Sequence, residues 1–134
     1  MDRNRVILCL GSNLDKEKNM ERAAEMLCAR FIHIRFSRAV YTEPVDCPRA
    51  ATFMNQVAIL YSEKDADEIR DILKDIERAI GRKPADKYEG LVPIDIDLLQ
   101  WNDRILKAGD LGRDYVIDGI RSLLAAGEDD EWCQ

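Results

Sequence analysis

The hydrophobic positions of this chain repeat with two different periods, which together predict the order of its elements. Alternating apolar and polar residues are typical of strands, whereas an apolar stripe at every third or fourth position is typical of a helix. The pattern predicts strand, helix, strand, strand, helix and strand at Val6 to Leu10, Lys16 to Arg30, Phe31 to Thr42, Phe53 to Leu60, Asp65 to Ile80 and Pro93 to Trp101. We expect a short hairpin strand at Arg104 to Leu106 and a last helix from Tyr115 to Ala126.

This order predicts an α+β fold of the ferredoxin-like type, β-α-β-β-α-β, with an antiparallel sheet and helices on one face. The short hairpin and the C-terminal helix are additions to that core. We expect the other face of the sheet to be free. The chain shows neither an internal repeat nor a linker, so we expect one domain over residues 1–134, with a frayed acidic tail at 127–134.

Composition and charge exclude several functional classes. A length of 134 residues suits one domain, and a hydrophobic fraction of 46% without a long apolar run does not fit a membrane span. We find no signal peptide before the first strand and expect a cytoplasmic protein. The net charge of −6 argues against nucleic-acid binding. The four cysteines form no C-x-x-C pair, so we expect reduced thiols and no zinc site.

The strongest chemical signal is a pair of carboxylates within the last long strand. Successive side chains of a strand point to opposite faces, so Asp95 and Asp97 share one face and Ile94, Ile96 and Leu98 share the other. Two like charges side by side repel unless a cation holds them. Mg²⁺ fits, because it takes one or two carboxylates and completes its shell with water and phosphate oxygens. The alternative is an edge strand whose outer face is simply wet.

Five short motifs in this order give the chain its resemblance to a known family. They are Leu10-Gly11-Ser12-Asn13, Tyr41-Thr42-Glu43-Pro44, Phe53-Met54-Asn55-Gln56, Ile76-Glu77-Arg78 followed by Gly81-Arg82, and Ile94-Asp95-Ile96-Asp97. With them the chain resembles the bacterial 6-hydroxymethyl-7,8-dihydropterin pyrophosphokinases of folate biosynthesis, from about Val6 to Val116. The resemblance implies an enzyme that moves pyrophosphate from ATP to a pterin hydroxymethyl group and releases AMP.

The resemblance also implies roles for individual residues. Asp95 and Asp97 match the catalytic pair that holds two Mg²⁺ ions, and Asn55 matches the residue that binds the polar edge of the pterin. The other residues with implied roles are Thr42, Pro44, Val45, Phe53 and Tyr115 around the pterin, and Glu77, Arg82, Lys107 and Arg113 at the nucleotide, with Arg82 and Arg113 also catalytic. Structural alternatives stay open for three of them: Asn55 as a strand cap, Phe53 as core and Glu77 as a solvated helix residue.

Two departures from the family pattern bear on activity. Val92 stands where the family has an arginine that contacts the nucleotide phosphates, and the Pro-His segment before Arg113 is missing. Arginines in comparable roles contribute roughly 10³–10⁵ in rate in other phosphoryl-transfer enzymes. The residues that could supply the lost charge are Arg82, Lys83, Lys87, Lys107 and Arg113. We read Gly11 to Asn13 as a tight structural turn and not as a phosphate cradle.

Three functional hypotheses follow from the sequence. The first is an active, shortened pyrophosphokinase. The second is a divergent relative that binds a pterin-like or nucleotide ligand with weak or absent transfer, or acts on another alcohol. The third is a ferredoxin-like interaction domain that uses an exposed sheet face. We expect small-molecule substrates, no nucleic-acid or membrane partner, and a monomer or weak homodimer.

Overall fold

The fold is an antiparallel sheet with helices on both faces. The computed structural model describes residues 3–43, 52–82 and 90–126, and the structural statements that follow concern these residues. The strands and helices are β1 Asn4–Ser12, α1 Lys16–Arg30, β2 His33–Phe36, β3 Val40–Thr42, β4 Phe53–Ser62, α2 Ala66–Ile80, β5 Asp95–Trp101, β6 Arg104–Ile105, α3 Ala108–Leu111 and α4 Asp114–Ala126.

The sheet has the order β2-β4-β1-β5-β6, and β3 also pairs with β4. Neighbouring strands run antiparallel throughout. β1 is therefore central, with β4 on one side and β5 on the other. The predicted fold class, an α+β antiparallel sheet of the ferredoxin-like type, is confirmed.

The main core lies between the sheet and helices α1 and α2. The largest fully buried side chains on this face come from all of these elements, and examples are Leu8, Leu27, Leu60, Ile69 and Ile94. Helix α2 begins at a reciprocal capping box, in which the Asp65 carboxylate accepts a hydrogen bond from the Glu68 backbone N–H at 2.8 Å. It ends at Gly81, whose φ of 114° is the left-handed conformation that glycine adopts without penalty. Both predicted helices of this face are confirmed.

Helix α4 covers part of the opposite face, so our expectation of a free second face is wrong. Val116 and Leu123 of this helix are buried against Ile7, Val57 and Leu99 in a second apolar cluster. The close approach depends on a glycine at position 119, where a Cβ atom would lie 2.8 Å from a methyl carbon of Val57. The interaction-domain hypothesis needs a wide exposed sheet face, and α4 covers part of that face.

The predicted single strand from Phe31 to Thr42 is two strands, β2 and β3, and this prediction is wrong in that respect. Phe36 pairs with Ala58 and Val40 pairs with Asn55, so three residues of one chain segment stand opposite two of β4. Ser37 begins this bulge: its N–H donates to the Val57 carbonyl at 2.8 Å, and its Oγ accepts from the Val57 N–H at 2.9 Å.

Two expectations from composition have different outcomes. Cys9 carries a free thiol, but Cys28 on α1 is disulfide-bonded, so the expectation of reduced thiols is wrong for Cys28. Within the described ranges no helix has the length and apolarity that crossing a membrane requires.

Candidate active site

The candidate site begins as a row of three residues across the central strands. Gly11 of β1 pairs with Asn55 of β4 on one side and with Asp95 of β5 on the other. Strands lie about 4.8 Å apart, which separates the Cα atoms of Asn55 and Asp95 by roughly 10 Å. Gly11 has no side chain to fill this interval, and a Cβ there would lie 3.3 Å from Oδ1 of Asn55. The row therefore places an amide and a carboxylate on either side of a buried glycine.

The two predicted metal ligands lie on the same side of β5. Ile94, Ile96 and Leu98 are buried in the core beneath α1 and α2, so Asp95 and Asp97 project from the opposite face, as the alternation predicted. Burial raises the pKa of Asp97 to about 7, and the charge of Asp95 and a hydrogen bond with it add to the rise. The charge of Lys107 opposes this rise.

Arg82 and Glu77 reach this pair from the end of α2. The Arg82 Nη1 donates to Oδ1 of Asp95 at 2.6 Å and to Oε2 of Glu77 at 2.8 Å. The same Glu77 oxygen accepts from the backbone N–H of Ile96 at 2.8 Å, on the outer edge of β5. Burial raises the pKa of Glu77, although the Ile96 bond and the Arg82 charge oppose the rise. Glu77 is therefore an anchored residue at the site and not a solvated helix residue.

A cavity of about 720 Å³ opens along the outer edge of β5 beside α2. Its charged lining consists of three carboxylates and five cations, namely Glu77, Asp95, Asp97, Arg70, Lys74, Arg78, Arg82 and Lys107. The outer edge of β5 is open here because β6 pairs only with Gln100 and Trp101. The edge-strand alternative is thus right about the open edge, but the carboxylates face a cavity that also holds cations.

Three of those cations were missed by the sequence reasoning. Arg70, Lys74 and Arg78 recur every four residues on α2, a spacing that places them on one helix face. Arg70 pairs with Asp67 at 3.6 Å, and Arg78 pairs with Asp75. The helical spacing was readable from the sequence. That this face borders the carboxylates depends on how α2 packs on the sheet.

The residues expected at the pterin lie at the other end of the row. Nδ2 of Asn55 donates to Oγ1 of Thr42 at 2.6 Å, and Asn55 is only 6% exposed. Phe53 is half-buried two residues before it on the same face, with a ring carbon 3.8 Å from the Cβ position of Gly11. The structure brings these three residues together beside Gly11. Pro44 and Val45 lie outside the described residues, as do the cation candidates Lys83 and Lys87.

Arg113 and Tyr115 lie where α4 begins and do not line the described cavity. The Arg113 Nε donates to Oδ1 of Asp110 at 3.2 Å. The hydroxyl of Tyr115 is 4.0 Å from the thiol of Cys9, which pairs in register with Asp97. Asp110 also raises the pKa of Asp97 by its charge, after the larger effects of burial and Asp95. Asp110 was not foreseen, because its nearness follows from the turn that α3 makes.

The donor set can be tested against the metal that the resemblance implies. No group of three or more histidine, cysteine or acidic side chains suited to a metal occurs among residues 3–43, 52–82 and 90–126. Asp95 and Asp97 are a pair of oxygen donors beside cations that can bind phosphate. This set fits Mg²⁺, which needs one or two carboxylates and takes its other ligands from water and phosphate. It does not fit a structural zinc site, which needs four protein ligands.

Comparison with known proteins gives a consistent result. The family whose sequence model matches this chain is 7,8-dihydro-6-hydroxymethylpterin-pyrophosphokinase (HPPK), over residues 7–124. Proteins from two strains of Porphyromonas gingivalis, each named 2-amino-4-hydroxy-6-hydroxymethyldihydropteridine pyrophosphokinase, are 40% identical to it over 100 residues, which is 70% of this chain and 67% of each relative. The mitochondrial folate synthesis bifunctional protein of Arabidopsis thaliana is 28% identical over 136 residues, covering 94% of this chain and 24% of that protein.

Proposed function

This chain belongs to the 7,8-dihydro-6-hydroxymethylpterin-pyrophosphokinase family, and we propose that it transfers pyrophosphate from ATP to 6-hydroxymethyl-7,8-dihydropterin in folate biosynthesis. The hydroxyl oxygen of the pterin forms a bond to the β-phosphorus of ATP, the bond from that phosphorus to the oxygen that bridges it to the α-phosphorus breaks, AMP leaves with that oxygen, and the hydroxyl proton is released to solvent. The observation that carries the proposal is the position of Asp95 and Asp97, which share a cavity with cations, while Asp95 lies across Gly11 from Asn55.

On the nucleotide side, we assign the triphosphate to the cavity beside α2. Arg82 and Lys107 line that cavity. The family resemblance adds Arg113, which immediately precedes α4 and pairs with Asp110. An arginine can bind phosphate oxygens with a two-pronged fork, while a lysine acts as a point charge. Arg82 leaves Asp95 for the phosphates when the nucleotide binds, and Glu77, anchored on Ile96, holds the end of α2 against β5.

Mg²⁺ held by Asp95 and Asp97 would neutralise phosphate charge and bring ATP and pterin together. We assign two ions, following the family resemblance. The two carboxylates would hold the ions that bind the phosphates, and the backbone of β5 holds the carboxylates in position. Most of the rate in phosphoryl-type transfer comes from such positioning and from charge neutralisation.

On the pterin side, we assign the ring to the neighbourhood of Asn55, Thr42 and Phe53. An amide offers both a donor and an acceptor, as the polar edge of a pterin requires. The contact between Asn55 and Thr42 holds the amide in one orientation. Phe53 and Tyr115 supply aromatic surface for the ring, and Pro44 and Val45 complete the assignment from the resemblance.

A second candidate function is binding of pterin and nucleotide with little transfer. The observation that favours it is Val92, an aliphatic residue where the family has an arginine. The cations Lys74 and Lys107 on the cavity wall favour the active enzyme instead, because they add positive charge on the side that the phosphates would occupy.

The test uses ATP labelled at the β-phosphate, together with Mg²⁺ and the dihydropterin. Pyrophosphate transfer moves this label onto the pterin and releases unlabelled AMP, whereas transfer of the terminal phosphate alone leaves the label in ADP. The matched control is 6-methyl-7,8-dihydropterin, which lacks the accepting hydroxyl. Label on the pterin supports the enzyme. Binding of the pterin without any transfer would reject it in favour of the second candidate.

A further inference from the structure

Ser12 at the end of β1 and Asn13 in the turn that follows it make contacts that the proposed function does not explain. Asn13 is 4% exposed and Ser12 is fully buried, although both are polar. Burying an amide side chain is costly unless its donors and acceptor are satisfied. The partners of both residues therefore indicate what this turn does.

Asn13 is bound almost entirely by the segment 90–92. Its Nδ2 donates to the Gly90 carbonyl at 2.7 Å, and its Oδ1 accepts from the Val92 N–H at 2.6 Å. Its own N–H donates to the Val92 carbonyl at 2.9 Å. Oγ of Ser12 lies 3.3 Å from that same carbonyl. Side chain and backbone of the turn thus hold both ends of this short segment.

The segment held in this way leads directly into the carboxylate pair. Only Pro93 and Ile94 separate Val92 from Asp95, and both are buried. Proline fixes its own φ and restricts the residue before it, so the chain from Val92 to Asp95 has little freedom. A restraint on Val92 therefore also restrains the backbone at Asp95.

The same turn also borders the amide at the other end of the row. Gly11, two residues before Asn13, lies between Asn55 and Asp95 in the sheet. We propose that Asn13 is a positioning residue of this enzyme, which fixes the start of β5 so that Asp95 and Asp97 meet the metal and the phosphates in register with Asn55. The proposal rests on the proposed function for its reaction, but the contacts that carry it do not depend on that function.

The test compares Asn13→Ala with Asn19→Ala as a matched control. Asn19 is also a buried asparagine, but its Nδ2 donates to the Leu14 carbonyl at 2.8 Å and not to the segment 90–92. Both variants lose an amide-to-carbonyl hydrogen bond in the same region. Only Asn13→Ala removes the side-chain hydrogen bonds to Gly90 and Val92, in the segment before Asp95.

Three readouts separate positioning from mere stability. The first is hydrogen exchange of the Val92 amide, the second is the Mg²⁺ affinity in the presence of α,β-methylene-ATP, and the third is the kcat and the KM for the pterin. For Asn13→Ala we expect faster hydrogen exchange at Val92 and a fall in kcat with little change in KM. We also expect the Mg²⁺ affinity to weaken by roughly 10- to 100-fold, the factor that residues supporting metal ligands typically contribute. Asn19→Ala should lower the melting temperature and leave all three readouts unchanged.

Asn13→Asp adds an internal check. It keeps the oxygen that accepts from Val92, but it turns a second oxygen toward the Gly90 carbonyl and buries a charge, so its Mg²⁺ affinity should be no stronger than that of Asn13→Ala. Equal Mg²⁺ affinities for Asn13→Ala and Asn19→Ala, or no Mg²⁺ binding by the unmodified chain, would overturn the proposal. Mg²⁺ binding that depends on Asn13 without any transfer would instead overturn the proposed function alone.

Discussion

Replacing Asp97 with asparagine should stabilise the metal-free protein while it removes one of the two proposed metal ligands. Burial and the neighbouring charge of Asp95 raise the pKa of Asp97 from 3.8 to about 7. A carboxyl group with a raised pKa in the folded state favours folding at low pH and loses that contribution as the pH rises through about 7. Asparagine has nearly the same shape and no charge, so the loss should not occur in the variant.

The magnitude follows from the size of the pKa difference. The full difference corresponds to roughly 4 kcal/mol in the free energy of unfolding. Asp97 is only partly buried and water screens its charge, so we expect about 1–2 kcal/mol at pH 8. Below about pH 4 the carboxyl is protonated in both states, and the difference between the variant and the unmodified protein should vanish.

Urea unfolding with a chelator present, repeated from pH 4 to pH 8, measures this difference. Asp71→Asn is the control, because Asp71 is an exposed carboxylate on α2. Added Mg²⁺ and nucleotide should reverse the order, since they stabilise only the protein with both carboxylates. A variant that is no more stable than the unmodified protein at pH 8, or a difference that does not depend on pH, would refute the reasoning about charge repulsion.

Two further predictions concern the packing of α4 and the thiol beneath it. Gly119→Ala should cost about 1–3 kcal/mol of unfolding free energy, because its Cβ would lie 2.8 Å from Val57. Gly109→Ala is the control: its Cβ would have nothing within 4 Å, so it should be neutral or stabilising in the same urea titration. Burial and the charge of Asp97 raise the pKa of Cys9 to about 12, despite a lowering contact with Tyr115. At pH 8, Cys9 of the folded protein should therefore react with iodoacetamide about 10³-fold more slowly than Cys9 of the urea-unfolded chain. Peptide mass spectrometry measures both rates, and equal rates would contradict the argument that burial raises this pKa.

Local sequence patterns were sufficient for most elements of the fold. The bounds of α1 are those predicted, and α2 begins one residue after the predicted start because Asp65 is its N-cap. The break between β2 and β3 was not predictable from alternation, because it depends on Ser37 bonding to Val57 in a distant strand. The position of α4 was missed for a similar reason: its packing on the second face follows from tertiary contact and not from its own periodicity.

Some features of the candidate site were likewise predictable from local sequence, whereas others depend on tertiary contacts. The alternation of Ile94 to Asp97 was enough to place two carboxylates on one face, since a strand allows no other arrangement. The bonds of Arg82 to Asp95 and Glu77 join the end of α2 to β5, and no local pattern reports such a contact. We predicted a tight turn at Gly11 to Asn13, which is wrong for Gly11 and Ser12 because β1 continues to Ser12. The bonds from Asn13 to the segment before Asp95 are visible only in three dimensions.

The most direct test of the central claim is AMP formation from Mg²⁺-ATP with and without 6-hydroxymethyl-7,8-dihydropterin. The measurement compares the unmodified chain with the double variant Asp95→Asn/Asp97→Asn, and includes Asp71→Asn as a control for the loss of charge alone. We predict AMP that depends on the pterin in the unmodified chain and in Asp71→Asn, and that falls to background in the double variant. Pterin-dependent AMP that survives the double substitution, or none in the unmodified chain, would contradict the assignment of this carboxylate pair to pyrophosphate transfer.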